Sequence, residues 1–460
     1  MQLSIYLNPL LKHFTDSRIV RNINQMVRKI IENQSIRLWS NASDKAEFDR
    51  CKRLIDGSLK SVLDDEKMTE ALRENSVNAL GSHDRLILLH APCDIRKEQS
   101  KTLEKLGRVR ALDNKPINGY QTFNTVAIDE KGKNVCPVDI SIYSNGDEHY
   151  VTQAERKQFQ KGQMKHSDNE ALRLRGQEIE RFLEEESDLN LKKVTEMQLS
   201  QVSQAFKKDN ESIRLCHVLD RQFDGLNTFH FIDAELDDEL VIRLKISRNS
   251  NQSSKDEQTH QQQWVKLKSV HFAHGDSFLI EKLVILKNVY QQATCLIEWD
   301  LLTLDEKSYT VVRITLNDRT GKPIYDHPML LLTNISVRTP EQGRSIYRIY
   351  LHRSKIEGVF KFLKSVLGWE EFQVRDYESI KNIIALCYFV GGYFYEIESE
   401  LTKNPAIQQI ARLGGSKAQI TRYHFLQGLA KILTYQSVVQ FVQTQQVTDE
   451  GFEEMVAFIS

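Results

Sequence analysis

From Ser17 to Ile31 the apolar residues Ile19, Ile23, Met26 and Ile30 recur at helical spacing. Asp16 or Ser17 stands where an N-cap belongs, so a helix is predicted there. After a break at Asn41 to Asp44, helical patterns around Phe48 to Leu63 and Lys67 to Leu72 complete an all-helical opening unit. The texture changes at Arg85-Leu-Ile-Leu-Leu-His90, a short apolar run that reads as a buried strand stopped by Pro92. Thr122 to Ile128 and Val135 to Tyr143, separated by Asp129-Glu-Lys-Gly-Lys133, predict an antiparallel hairpin. A long, charged helical stretch over 167–207 leads into a fourth strand, Ser212 to Leu219, which ends on Asp220, and Val241 to Ile246 predicts a fifth. The expectation is an α/β fold with a mixed sheet.

The stretch 249–263 is polar and poor in apolar residues, which predicts an exposed loop or linker. From Trp264 to Val337 the runs are short and β-rich (Leu279 to Leu286, Tyr309 to Leu316, Met329 to Leu332), with a turn at Asn317 to Lys322, and together they suggest a β-insertion. From Pro340 onwards the pattern is helical, including Ile380 to Glu398 and Ile420 to Gln443. Tyr388, Phe389, Tyr393 and Phe394 suit a core or a partner surface equally well.

With 460 residues, 40% apolar and 27% charged, the chain has ordinary globular composition and room for several domains. No apolar run approaches the roughly 20 residues that cross a bilayer, and Met1 to Leu11 lacks the marks of a signal peptide. A cytoplasmic protein without membrane partners is expected. Six cysteines lie far apart, with no C-x-x-C and no neighbouring histidine pair, so they read as reduced core residues. The net charge of −1 argues against a polybasic protein. It conceals two basic islands: residues 1–62 carry 11 Lys/Arg against 6 Asp/Glu, and residues 338–364 carry 7 against 2. In the first island Arg18, Arg21, Arg28, Lys29, Lys52, Arg53 and Lys60 suit a helical unit that reads DNA, or a solvated helix face. Arg96, Lys97, Lys101, Lys105, Arg108 and Arg110, after the first strand, offer the same two readings.

Phosphate-binding P-loops, dinucleotide-binding glycine patterns, zinc-protease and serine-hydrolase motifs do not occur. The informative pattern is Tyr350-x2-Arg353-x3-Glu357-x6-Lys364. On one helix these four side chains fall within a narrow stripe. A carboxylate ringed by arginine, lysine and tyrosine suits a metal held beside a phosphodiester, although an Arg–Glu pair at i, i+4 is also common on helix surfaces. The second clue is Asp220-Arg-Gln-Phe-Asp224, an acid at a strand's C-terminal end.

Together these motifs resemble a bacterial DDE transposase of the cut-and-paste type, in the insertion-sequence family with the Tyr-Arg-Glu-Lys signature, insertion sequence family four. The resemblance covers the chain to about residue 400. It implies an RNase H-like mixed-sheet catalytic domain (79–248 and 339–370) interrupted by a β-rich insertion (249–338). A helical DNA-end-binding domain (1–78) would precede it and a helical dimerisation region (371–460) follow. It further implies Asp220 and Glu357 as catalytic, metal-binding carboxylates for two Mg²⁺ ions, with Mn²⁺ able to substitute. Tyr350, Arg353 and Lys364 would contact the phosphates of double-stranded DNA, with Arg221 and Lys97 as further DNA contacts, in a homodimer that pairs two transposon ends. The place of a base-stacking tryptophan falls on Met329.

The first aspartate of such a triad aligns with Ala91, which has no carboxylate. Either Ala91 disables the centre, or Asp94, three residues on, supplies the ligand through a shifted turn. The first is favoured because Pro92 would end the strand before Asp94. Three functions follow as expectations: a metal-dependent transposase, a DNA-binding descendant without cleavage, and an RNase H-like nuclease.

Overall fold

The chain opens with α1 (Leu3–Leu11), α2 (Ser17–Asn33), α3 (Lys45–Ile55) and α4 (Asp65–Leu80). This is a computed structural model, which describes residues 2–56, 62–252, 263–285, 288–304, 307–415 and 420–444. Asp16, Asp44 and Asp64 cap α2, α3 and α4, each carboxylate accepting an otherwise orphaned backbone N–H of the first turn. Lys60, most of the polar stretch after residue 252, and residues 445–460 lie outside the described residues.

Next come β1 (Arg85–Arg96), β2 (Gly107–Arg110), β3 (Pro116–Asp129), β4 (Cys136–Tyr143), α5 (Gln153–Gln160), α6 (Glu170–Glu184), α7 (Leu191–Lys207), β5 (Arg214–Leu219), α8 (Leu226–His230) and β6 (Glu239–Arg243). Then follow β7 (Asn249–Gln252), β8 (Gln263–Lys266), β9 (His274–Ile285), β10 (Asn288–Leu304), β11 (Lys307–Asn317) and β12 (Met329–Thr333). The chain closes with α9 (Pro340–Leu351), α10 (Ser354–Val366), α11 (Tyr377–Glu398), α12 (Pro405–Gly414) and α13 (Arg422–Thr444).

The described strands form a single mixed sheet in the order β2-β3-β1-β5-β6-β12-β11-β10-β7-β8, with β4 also on β3 and β9 on β10. At its centre β1 runs antiparallel to β3 and parallel to β5, and β5 runs parallel to β6. The α/β class is therefore as expected. The β-rich segment does not form a separate sheet, because β12 pairs antiparallel with β6 (Leu331–Thr333 against Val241–Arg243) and the ladder continues into it.

Four local expectations are corrected. Pro92 does not end the first strand: β1 runs on to Arg96, paired with β3 throughout. Its pairing with β5 stops at Leu89, so beyond that point one side of β1 has no ladder and a residue without an N–H is tolerated. The helical stretch 167–207 is two helices, α6 and α7, parted by a turn in which Glu186 has φ of +53°. The ends of the polar stretch, β7 and β8, pair with each other rather than forming a free loop. Lastly, the signature helix breaks into α9 and α10. Backbone bonds of the i→i−3 type link Arg353 to Tyr350 and Ile356 to Arg353 at the break, tightening the turn and rotating the two helices' faces relative to one another.

α11 forms the centre of the molecule. Most of its residues are buried, because it packs against β4, α4, α10 and α13. Tyr388, Phe389, Tyr393 and Phe394 are accordingly core. The Tyr6 hydroxyl donates to the Phe389 carbonyl at 2.7 Å, and the Asn382 amide donates to the Ile55 carbonyl at 2.9 Å. The N-terminal helices are thus stitched onto this helix through groups that burial would otherwise leave unsatisfied.

Candidate functional site

Side chains alternate across a strand. Ile87, Leu89 and Ala91 of β1 share a face with Cys216 and Val218 of β5, and all five belong to the core beneath α10 and α11. The parallel register pairs Leu89 with Val218. Strand alternation carried two residues past the end of that ladder would set Ala91 level with Asp220 and on the same face. α10 lies over this end of the sheet, anchored by Ile356, Val359, Phe362 and Leu363, and carries Glu357 in its first turn.

Arg353, at the α9–α10 break, connects the acids. Its Nη2 lies 3.5 Å from Asp220 Oδ2 and its Nη1 3.1 Å from Glu357 Oε1. Its buried Nε has no acceptor among the described residues. Asp220 also caps a short turn, its Oδ1 accepting the Arg221 N–H at 2.6 Å. Tyr350 is buried behind them. Burial, and then the nearby Asp220 charge, push its hydroxyl pKa up, while Arg243, which donates to that hydroxyl, and Arg353 work against the rise.

The remaining expected site residues lie elsewhere. Asp94 is an odd number of residues from Ala91, so it faces the opposite side of β1, where its Oδ2 accepts the Arg110 N–H at 3.1 Å. It does not stand in for a carboxylate at residue 91. Lys364 Nζ donates to the Asp94 carbonyl at 2.5 Å and to Glu370 Oε1 at 2.8 Å, away from Glu357. Lys97 Nζ donates to the Phe372 carbonyl at 2.7 Å and sits 3.6 Å from the centre of that ring; burial brings its pKa down to about 8. Arg221 is exposed beside Asp220. Met329 lines a cavity of about 150 Å³ with Arg243, Tyr325, His327 and Tyr347. Sequence reasoning missed Arg243, since no motif marks a basic residue at the end of a β6 strand.

Two carboxylates bridged by a guanidinium do not fit a pair of divalent ions, which needs each ion anchored and the two bridged. Among the described residues, no group of three or more His, Cys, Asp or Glu side chains is placed to hold a metal ion. What the arrangement can do as it stands is present Arg353, Arg243 and Arg221 to an anion where the central strands β5 and β6 end.

A second cationic surface lies between α2 and α13, where Arg21, Arg28 and Lys29 face Gln436, Ser437 and Gln440 across a groove of about 500 Å³. Lys29 is paired with Glu32 at 2.9 Å, and Arg18 with Asp16 at 2.9 Å. After β1, Lys105 pairs with Asp147 at 2.9 Å and Arg108 donates to the Asn118 side chain at 2.6 Å, so that basic run is largely engaged within the protein.

No described helix is long and apolar enough to cross a membrane. All six cysteines are free, and all but the half-buried Cys93 are buried. No protein-family model matches the chain, and no curated protein matches it in sequence.

Proposed function

We propose that this chain is a DNA-end-binding protein on the scaffold of a DDE transposase, whose phosphoryl-transfer centre lacks one carboxylate, at Ala91. What supports the reading is that Arg353 links Asp220 to Glu357, with Ala91 two residues past the last β1–β5 pair, Leu89 with Val218. The strand order β4-β3-β1-β5-β6, with one antiparallel and two parallel pairings around β1 and β5, supports an RNase H-like core. In this reading two copies hold a pair of element ends, and double-stranded DNA meets the basic groove of α2 and the arginines around Asp220. Arg353 keeps its role as a phosphate contact, whereas Tyr350, buried behind Asp220, and Lys364, held by Glu370 and the Asp94 carbonyl, would each have to be freed to make one. Mg²⁺ would be retained only once a third carboxylate is present.

The test compares the protein as it stands with Ala91→Asp on duplex DNA carrying the element's ends, with Mg²⁺ or Mn²⁺. Binding by both and cleavage by Ala91→Asp alone is the expected result. Cleavage by the protein with Ala91 would overturn the assignment of this centre, and failure of both proteins to bind would overturn the function.

A further inference from the structure

On the other face of the sheet, beneath the same strand ends, a chain of buried polar groups crosses three strands. His90 of β1 and His217 of β5 are both fully buried, with their rings stacked at 5.1 Å. His217 Nε2 lies 3.1 Å from Asp238 Oδ2, and His217 Nδ1 lies 2.9 Å from His90 Nε2. His90 Nδ1 lies 2.9 Å from Thr125 Oγ1, which also accepts the Gln198 amide at 2.8 Å. Gln198 Oε1 in turn accepts the Ser141 hydroxyl at 2.7 Å.

The direction of every bond follows from its end. Asp238 accepts the Ser203 hydroxyl and the Lys207 ammonium, each at 2.7 Å, and as a carboxylate has no proton to give. His217 Nε2 must therefore donate to it. With both rings neutral, His217 accepts at Nδ1, so His90 Nε2 donates, His90 Nδ1 accepts, and the Thr125 hydroxyl donates. Each imidazole carries one proton, and no donor in the chain is left over. A third proton on the pair has no vacant acceptor: whichever ring takes it up, His90 Nδ1 must become a donor to Thr125. Thr125 then receives two donors while its own hydrogen is left without an acceptor in the chain.

We propose that the His90–His217 pair is an acid-operated clasp: neutral, it locks β1 to β5 where their ladder ends and so sets the spacing of Ala91 and Asp220; loaded with a proton, it lets them part. The charged groups facing the pair are Asp238, before β6, and Lys207, from α7. The Arg85–Glu239 pair, at 2.6 Å, joins the starts of β1 and β6. β3 and α7 otherwise contribute the uncharged Thr125, Phe123 and Gln198. His90 and His217 are positioning residues in this account, and it holds whether or not the protein binds DNA.

The test is backbone hydrogen exchange of the full chain between pH 7.5 and 5, corrected for the intrinsic rate, together with ¹⁵N spectra of the imidazoles. Below about pH 6.5, the ordinary histidine value, protection in β1 and β5 is expected to fall by about tenfold per pH unit, the slope of one-proton uptake on opening, and above it to stay level. His90→Gln keeps a donor and an acceptor but does not titrate, and should flatten that slope. Asp238→Asn, which removes the anion, should move the onset of the loss and serves if His90→Gln does not fold. The spectra should show both rings protonated at Nε2 at neutral pH. Protection independent of pH, an unchanged slope in His90→Gln, or a neutral His90 protonated at Nδ1 would each overturn the clasp.

Discussion

Leu89 and Val218 are the last paired residues of two neighbouring parallel strands, and two residues beyond each stand Ala91 and Asp220, a methyl group on one side and a carboxylate on the other. The pairing of Leu89 with Val218 fixes this relationship, since a slip of one residue in either strand would turn one of the two side chains to the opposite face. The methyl is 1% exposed.

Ala91→Asp should therefore place a second carboxylate in a buried position beside Asp220. In EDTA the variant is expected to be less stable than the parent by about 2–4 kcal/mol, the order of an uncompensated buried charge. Mn²⁺ should recover part of that loss and leave the parent's melting midpoint unchanged. Equal stability of the two proteins in EDTA would place residue 91 outside the carboxylate cluster.

The Arg353–Glu357 pair should contribute little to stability. Glu357 is 64% exposed, so solvent screens the pair. A double-mutant cycle with Arg353→Gln and Glu357→Gln is expected to give a coupling below about 1 kcal/mol in urea unfolding. A coupling of several kcal/mol would mean that the pair is structural rather than held for a ligand.

Arg73 and Asp139 behave oppositely. The guanidinium of α4 meets the carboxylate of β4 at 2.5 Å, and the Asp139 side chain is 2% exposed. Burial pushes the Asp139 carboxyl pKa up, against the pull of Arg73. Arg73→Met should cost about 3–5 kcal/mol by stranding the charge, and adding Asp139→Leu should return most of it. Chemical denaturation of the three variants measures both steps.

Glu396 gives a pH dependence with a definite sign. Burial in α11 pushes its carboxyl pKa up to about 7. Between the unfolded value of about 4.3 and pH 7, the folded chain keeps a proton that the unfolded chain has released, so stability falls as pH rises through that window. Glu396→Gln should gain about 2–3 kcal/mol over the parent at pH 8 and almost nothing at pH 4.5. Melting curves at the two pH values decide it, and an equal gain at both would place the effect in packing rather than charge.

Much of this architecture is legible in the sequence because it follows local rules. Asp16 is an N-cap by type and position, and it caps α2. The run ending at Leu219 is apolar because β5 is covered on both faces, and Asp220 marks where that cover stops. The misreadings arise where distant partners decide. Pro92 reads as a stop until it is known that β3 alone flanks β1 there. The spacing of Tyr350, Arg353, Glu357 and Lys364 reads as one stripe because nothing local announces the tightened turn at Arg353, and Lys364 is drawn away by Glu370 and the Asp94 carbonyl. The His90–His217–Asp238 chain leaves no local trace: its members come from separate strands and an intervening loop, and only the fold brings them together.

The joint between β6 and β12 has a consequence for how this protein tolerates change. Because the segment after β6 extends the ladder sideways instead of interrupting it, that segment can lengthen or shorten at its far end without moving the strands that carry Ala91 and Asp220. Removing it altogether is another matter. The backbone of Val241–Arg243 would then lie bare, and an unpaired apolar rim invites other chains to add themselves to it. The segment is expendable in length and indispensable as a cover, so shortened descendants that stay monodisperse should be those that keep β12.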